Sequence, residues 1–499
     1  MTAPGASRVS TALARDRLGA AAVVFFVLSA AAPLTVVAGV VSTGFAVTGV
    51  TGLPVAFLAI AAVLAVFSVG YVAMARHVAN SGAFYAYVTH GLGRPLGVAA
   101  AWVALLAYNA LQVGLYGAFG VAAAPLAAQW FGVSAPWWVL ALLAWALVAA
   151  LGVLRVDVNG TVLAVLLTAE VAAIVVFSVA SVADPGPQGV ALSTLAPGNL
   201  LAPGVGAILA LAVLGFVGFE QAVVFSEEAR SPRRTVPFAT YASIALIAGL
   251  YAFAAWAVTV GAGPAQVVER ARADGPELLF LLAGERLGQG AVHAGHALFV
   301  TSLLAAMISF HNTAARYAFA LGREGVLPRA LGRTSRRSGA PKVGSLTQSA
   351  LGFAVVVTYA WAGWDPLVRL FFWGGTAGGL GVLFLIAVTA LAVLAFFVRH
   401  PCGEPGWRRL AAPALAIVAL GVVVWLAAGN LSLLFGTGPG SPVPAVVLGG
   451  YLCAALLGVG WALWLRLARP ATYATIGLGP RAVTATRAAT PVVRPGWAR

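Results

Sequence analysis

Two carboxylates lie where the chain otherwise reads as hydrocarbon. Glu220 closes the stretch "LGFVGFE" (214–220), just after Gly215 and Gly218, and Glu170 stands midway through "VLLTAEVAAIVVF" (165–177). A charged carboxylate at the centre of a bilayer costs about 3 kcal/mol on insertion scales, so such a group is expected to carry a proton, hold a cation or face a polar cavity. The competing reading is a protonated acid hydrogen-bonded to a neighbouring helix. Other polar side chains recur at helical spacing. Tyr108, Gln112 and Tyr116, beside Asn109, make one stripe suited to a cavity wall or to interhelical hydrogen bonds. Thr301, Ser302, Ser309, His311 and Asn312 make a second, with His293 and His296 upstream. The pair Glu227–Glu228, beside Arg230, Arg233 and Arg234, reads either as a charge cluster closing one face or as solvated helix-end charges. All of this is the chemistry of binding and proton transfer. The sequence contains no Walker-type phosphate loop, nucleophile elbow or zinc-enzyme motif. His293 and His296 lack Cys or carboxylate companions at ligand spacing, so neither a metal nor another cofactor is expected.

The elements that must position these groups follow from composition. With 61% hydrophobic and 9% charged residues, the chain could not cover a soluble surface. Runs of about 20 apolar residues, the length that spans a bilayer as a helix, recur along it. They predict twelve helical spans, at roughly 21–45, 54–75, 96–124, 137–154, 158–182, 205–226, 237–262, 291–320, 343–363, 367–397, 411–429 and 443–466. The runs are long and continuous, without the period-two alternation of a β-barrel. A net charge of +15 could suggest nucleic acid, but the basic residues alternate with topology instead. With both ends inside, only Arg270, Arg272, Arg286 and Arg369 of the 29 Lys and Arg fall outside, as the positive-inside rule requires. The expected location is the plasma membrane, with both termini cytoplasmic and no nucleic-acid partner. The stretch "LGAAAVVFFVLSAAAP" imitates a signal peptide, but its apolar run continues to Val50 and is read as retained. The two cysteines, Cys402 and Cys453, give no disulfide framework.

Two spans carry matching interruptions. The first contains Pro33, Gly39 and Gly44 in "AAPLTVVAGVVSTG", and the sixth contains Gly215 and Gly218. Each glycine weakens a helix by about 1 kcal/mol relative to alanine. Interrupted helices at corresponding places in two halves point to a transporter's binding site. The connections after the second and seventh spans also match, each reading as a short helix and a glycine pair before a long span. The chain therefore divides into a cytoplasmic N-terminus (1–20), a core of ten spans (21–400), two peripheral spans (401–467) and a basic, disordered cytoplasmic tail (468–499), whose arginines could rest on anionic lipid.

The stretches "YVAMARHVANSGAFYAYVTHGLGRPLG" (71–97), "GFVGFEQAVVFSEEARSPRRTVPFAT" (215–240) and "NTAARYAFALGREGVLPRAL" (312–331) resemble the amino acid–polyamine–organocation superfamily of secondary transporters, in the manner of actinobacterial amino acid permeases. The resemblance extends over about residues 20 to 465 and implies an all-α polytopic membrane protein. Its fold would be a LeuT-like inverted repeat of five plus five helices, with helices 1 and 6 interrupted and two peripheral helices added. It implies substrate contacts from the unwound part of span one, at Ala32, Pro33, Leu34, Thr35 and Val36, where family members often carry Gly-Ser-Gly. From span six it implies Leu214, Gly215, Phe216, Gly218 and Phe219, the two phenylalanines as aromatic walls or a gate. Tyr108 and Gln112 are candidates for the cavity wall, and Glu220, Glu170, Ser309 and Asn312 for proton coupling or gating. Some members place a lysine where Glu170 stands, so that mechanism does not transfer; Glu170 could exchange protons or hold a cation. The resulting expectation is a non-enzymatic permease that moves amino acids or related amines by alternating access, coupled to protons. An exchanger, or less readily a passive channel-like facilitator, is the alternative.

Overall fold

A computed structural model describes residues 9–10, 12–14, 16–78, 80–335, 337–438 and 440–483. Among these, eleven helices are long and apolar enough to cross a membrane, and the sixteen-residue helix Trp137–Gly152 completes the expected twelve. The first, Ala20–Thr48, and the sixth, Val205–Val223, are the interrupted ones. Span three runs from Arg94 to Phe131, past the expected end at 124, because the helix continues through Pro125. Neighbouring helices can re-satisfy the backbone group that a membrane proline frees. The one strand pairing among the described residues joins Val9–Ser10 to Thr334–Ser335. Many large apolar side chains stay exposed on the outer helices, among them Val165, Trp361, Val418, Trp425 and Leu467. Such a surface is stable only against lipid.

The inverted repeat is visible in small details. A short helix, Phe84–Leu92, precedes span three, and two, Val267–Asp274 and Leu278–Leu287, precede span eight (Gln289–Arg323). Both long spans begin after a glycine in a left-handed backbone, Gly93 at φ +102° and Gly288 at φ +81°. Glycine populates positive φ freely, so each marks the same sharp turn in its half. Span two (Leu53–Ala75) packs on span seven (Pro232–Ala262), and span one packs on spans five, seven and eight. Span eleven (Trp407–Gly429) packs on spans two, six and ten (Pro366–Arg399), and span twelve (Val443–Ala468) on span three.

Loops of even parity gather at one end, here termed the terminal face. Arg76, after span two, pairs with Glu404, after span ten, at 3.0 Å. Leu18 lies beside Ala229, after span six. Arg270, Arg272 and Arg286 lie at the opposite end: Arg286 donates to the Asp184 and Gly261 carbonyls, and Arg272 to that of Ala46. The expectation of disorder from 468 onward is corrected for residues 470–483. Helix Pro470–Thr475 and the following turns fold back, where the Gly477 and Gly479 N–H groups donate to the buried carboxylate of Glu324. A buried acid requiring donors orders a segment whose composition alone reads as unstructured. Residues 484–499 lie outside the described ones.

Candidate functional site

The break in span one is built from backbone stereochemistry. Helix Ala20–Ala31 stops at Ala32, whose φ of +45° is left-handed and unfavourable for a residue with a Cβ. Pro33 follows, with no N–H to give. The next donor, the Leu34 N–H, points to Glu170 Oε1 at 2.5 Å, and Ser302 Oγ donates to the same oxygen at 2.7 Å. Thr35 Oγ1 lies 3.3 Å from Ser302 Oγ. A helix N-terminus favours an anion. The group bonded to this one is the protein's own Glu170 carboxyl, on the fifth span, Val156–Ala183. Glu170 is fully buried, and among the described residues its Oε2 has no hydrogen-bond partner.

Span six repeats the device. Helix Val205–Gly215 ends, Gly218 takes φ +117°, and the chain resumes as a tight turn over Phe219–Val223. Glu220 folds back so that its Oε2 accepts the Gly218 N–H at 2.9 Å, while its Oε1 accepts from Tyr108 Oη at 2.8 Å. Tyrosines from the two equivalent spans steady the breaks. Tyr71 of span two donates to the Glu220 carbonyl at 3.1 Å, and Tyr251 of span seven donates to the Ala31 carbonyl at 3.0 Å. The breaks touch: a Cβ on Gly218 would lie 2.7 Å from that of Ala30.

Beside this junction lies a cavity of about 170 Å³. Of the expected contacts, Ala32, Thr35, Val36 and Leu214 line it. Pro33, Leu34, Gly215, Phe216, Gly218 and Phe219 sit behind that lining, buried in helix packing. Tyr108 and Gln112 do not line it either. Their stripe makes interhelical hydrogen bonds, Tyr108 to Glu220 and Gln112 to His311 and Gln348, with Gln112 also donating to Tyr116 one turn along the same helix. Residues the sequence reading did not select supply the remaining wall: Leu111 and Leu115 of span three, Phe310 of span eight, and Phe371, Phe372 and Gly375 of span ten. On span ten these residues belong to "FFWGGTAGGLG" (371–381), a glycine-rich stretch of the kind that allows close helix packing. Its one usable signal is the aromatic pair ahead of the glycines.

The amino acid permease family pattern matches residues 18–456, nearly the whole chain. The chain belongs to that family. No curated protein matches it. Among solved structures, 135 chains match. One is a crystal structure of the Eremococcus coleocola manganese transporter in complex with an aromatic bis-isothiourea substituted compound. It has a TM-score of 0.55 and 12% identity, and the match covers 91% of this chain and 95% of that one. At that identity the likeness shows a shared fold. The protein is therefore a multi-pass membrane permease of the secondary-transporter type, and its family assigns it transport rather than catalysis.

Beneath the cavity the permease is sealed at its terminal face. Glu228 and Arg316 form a fully buried pair at 2.6 Å, and Arg316 also donates to Asn312. Glu227 pairs with Arg323 at 2.7 Å and accepts from the Ser81 N–H. The partners of this acidic pair thus come from span eight, not from the adjacent Arg230, Arg233 and Arg234, which remain exposed. Burial alone would raise the Glu227 carboxyl, but the Arg323 guanidinium holds it below the usual carboxylate range. Ser309 donates to the Phe26 carbonyl at 2.8 Å and also contacts Gln221. Ser309 therefore ties span eight to spans one and six next to the seal, while Asn312 bonds within span eight, to Ile308 and Arg316, and accepts from Asn159 of span five.

Proposed function

We propose that this permease moves amino acids or related amines across the plasma membrane by alternating access, with protons as the coupling ion and both termini in the cytoplasm. The observation that carries this reading is the asymmetry about the two breaks. The cavity lies on one side of them, and two buried ion pairs close the other. That arrangement suits a site reached from one face at a time, and the basic terminal face supports the cytoplasmic assignment of that end.

Glu170 is the proton site in this reading. A buried carboxylate with one unpartnered oxygen is costly as an anion and tolerable as a neutral acid. Its bonds to Leu34 and Ser302 tie its protonation to the geometry of span one. Uptake into proteoliposomes with an imposed proton gradient tests this. Glu170→Gln keeps an acceptor for the Leu34 and Ser302 donors but carries no exchangeable proton of that kind. Its uptake is expected to lose gradient dependence while counterflow of substrate persists. Gradient-driven accumulation equal to the parent protein removes Glu170 from coupling.

A further inference from the structure

From the cavity we infer the substrate class: a small amino acid whose side chain is apolar and uncharged. The inference rests on the transport reading above and narrows it. Four observations carry it. First, none of the residues lining the cavity is ionisable. A charged side chain would enter without a partner, and an unpaired buried charge is strongly unfavourable. Second, neither membrane acid nearby lines the cavity; Glu220 is engaged through both oxygens by Tyr108 and Gly218, and Glu170 through Oε1 by Leu34 and Ser302. A lysine-like or polyamine cation therefore finds no counter-charge.

Third, the walls are aliphatic and aromatic, with Phe310 of span eight and the Phe371–Phe372 pair of span ten among them. Hydroxyls are few, and two are occupied: Thr35 lies against Ser302, and Thr376 donates to the Leu434 carbonyl. Fourth, at about 170 Å³ the cavity lies below the usual range for drug-sized ligands, which begins near ~300 Å³. Part of its width is set by Gly39 and Gly375. A Cβ added at either would meet no atom within 4 Å.

The test uses the purified full-length permease, with thermal shift and proteoliposome uptake measured side by side. The probes are alanine, leucine, phenylalanine, lysine, glutamate and putrescine. Stabilisation and uptake are expected with the first two or three and not with the charged probes. Saturable binding of lysine, glutamate or putrescine, with none by the apolar amino acids, overturns the substrate class and leaves the transport reading intact. Silence from every probe in both assays overturns the two together. Gly375→Val supplies an independent arm, because space is open at that position and the fold should hold; Gly375→Ala is the milder control. Filling the cavity is expected to weaken leucine about tenfold while changing alanine far less. Equal effects on both, or none on either, mean that the side chain binds elsewhere.

Discussion

At the scale of single residues, the two membrane acids share a local task and differ in how completely they are satisfied. Each caps a backbone N–H freed by a helix break, Glu170 at Leu34 and Glu220 at Gly218. Glu220 has a partner for both oxygens, whereas Glu170 Oε2 has none. In the function proposed above, this contrast is the reason Glu170 serves as the proton site, with Glu220 a structural acid coupled to span three. Tyr108→Phe removes one donor from the buried Glu220 carboxylate. The expected cost is about 1–3 kcal/mol, read as a lower melting temperature in detergent, with gradient dependence of uptake retained. Unchanged stability would show that Tyr108 does not support the acid. The presence of both acids was legible in the sequence, because carboxylates are rare in apolar runs. Their partners were not, since Leu34 lies 136 positions from Glu170 and Tyr108 lies 112 from Glu220.

At the scale of elements, the breaks in spans one and six work as a pair because they are in contact. Gly218 is the position where this contact is tightest and where the backbone is most constrained. Its φ of +117° disfavours any side chain, and a Cβ would also press on Ala30 and the Ala31 nitrogen. Gly218→Ala is expected to abolish uptake and lower thermal stability, and Gly375→Ala, with open space around it, to leave stability within about 0.5 kcal/mol. Comparable losses from the two variants would show that glycine content, not the contact between breaks, matters. The interruptions themselves were readable from Pro33, Gly215 and Gly218. Which of their residues face the void was not, because the notch in each helix turns side chains by amounts that local sequence does not specify. The short connecting helices were likewise legible, and Gly93 and Gly288 confirm that they end in the same turn.

At the scale of the whole molecule, the terminal face is held shut by charge pairs between span eight and the segment after span six. Glu227 makes this closure sensitive to acid. Burial pushes its carboxyl up, and pairing with Arg323 outweighs that and leaves it below the ordinary value. A lowered folded value means that the pairing contributes fully above the ordinary carboxylate range near ~4.3 and is lost as pH falls through the lower folded value. Reactivity of a cysteine placed at the buried Ser226, in a protein with Cys402 and Cys453 replaced by serine, reports the closure. Labelling by a membrane-impermeant thiol reagent is expected to stay flat from about pH 8 to 5 and to rise below about pH 4, after correction for the reagent's own pH dependence. Labelling that falls with acid, or does not change, contradicts the role given to Glu227. The tail segment 470–483 belongs to the same face, where it covers Glu324.

The sequence by itself determined the class, the number of spans and the place of the two breaks. Each is a property of contiguous residues: apolar length, and proline or glycine within a run. Tertiary structure alone decided what those features do together. It directed Glu227 and Glu228 to Arg323 and Arg316 instead of the arginines beside them. It turned the Tyr108 stripe toward helix contacts and brought Phe310, Phe371 and Phe372 to the cavity. The reason is geometric. A membrane helix can offer any face to its neighbours, and which side chains meet depends on rotations and crossings set by helices far away in the chain.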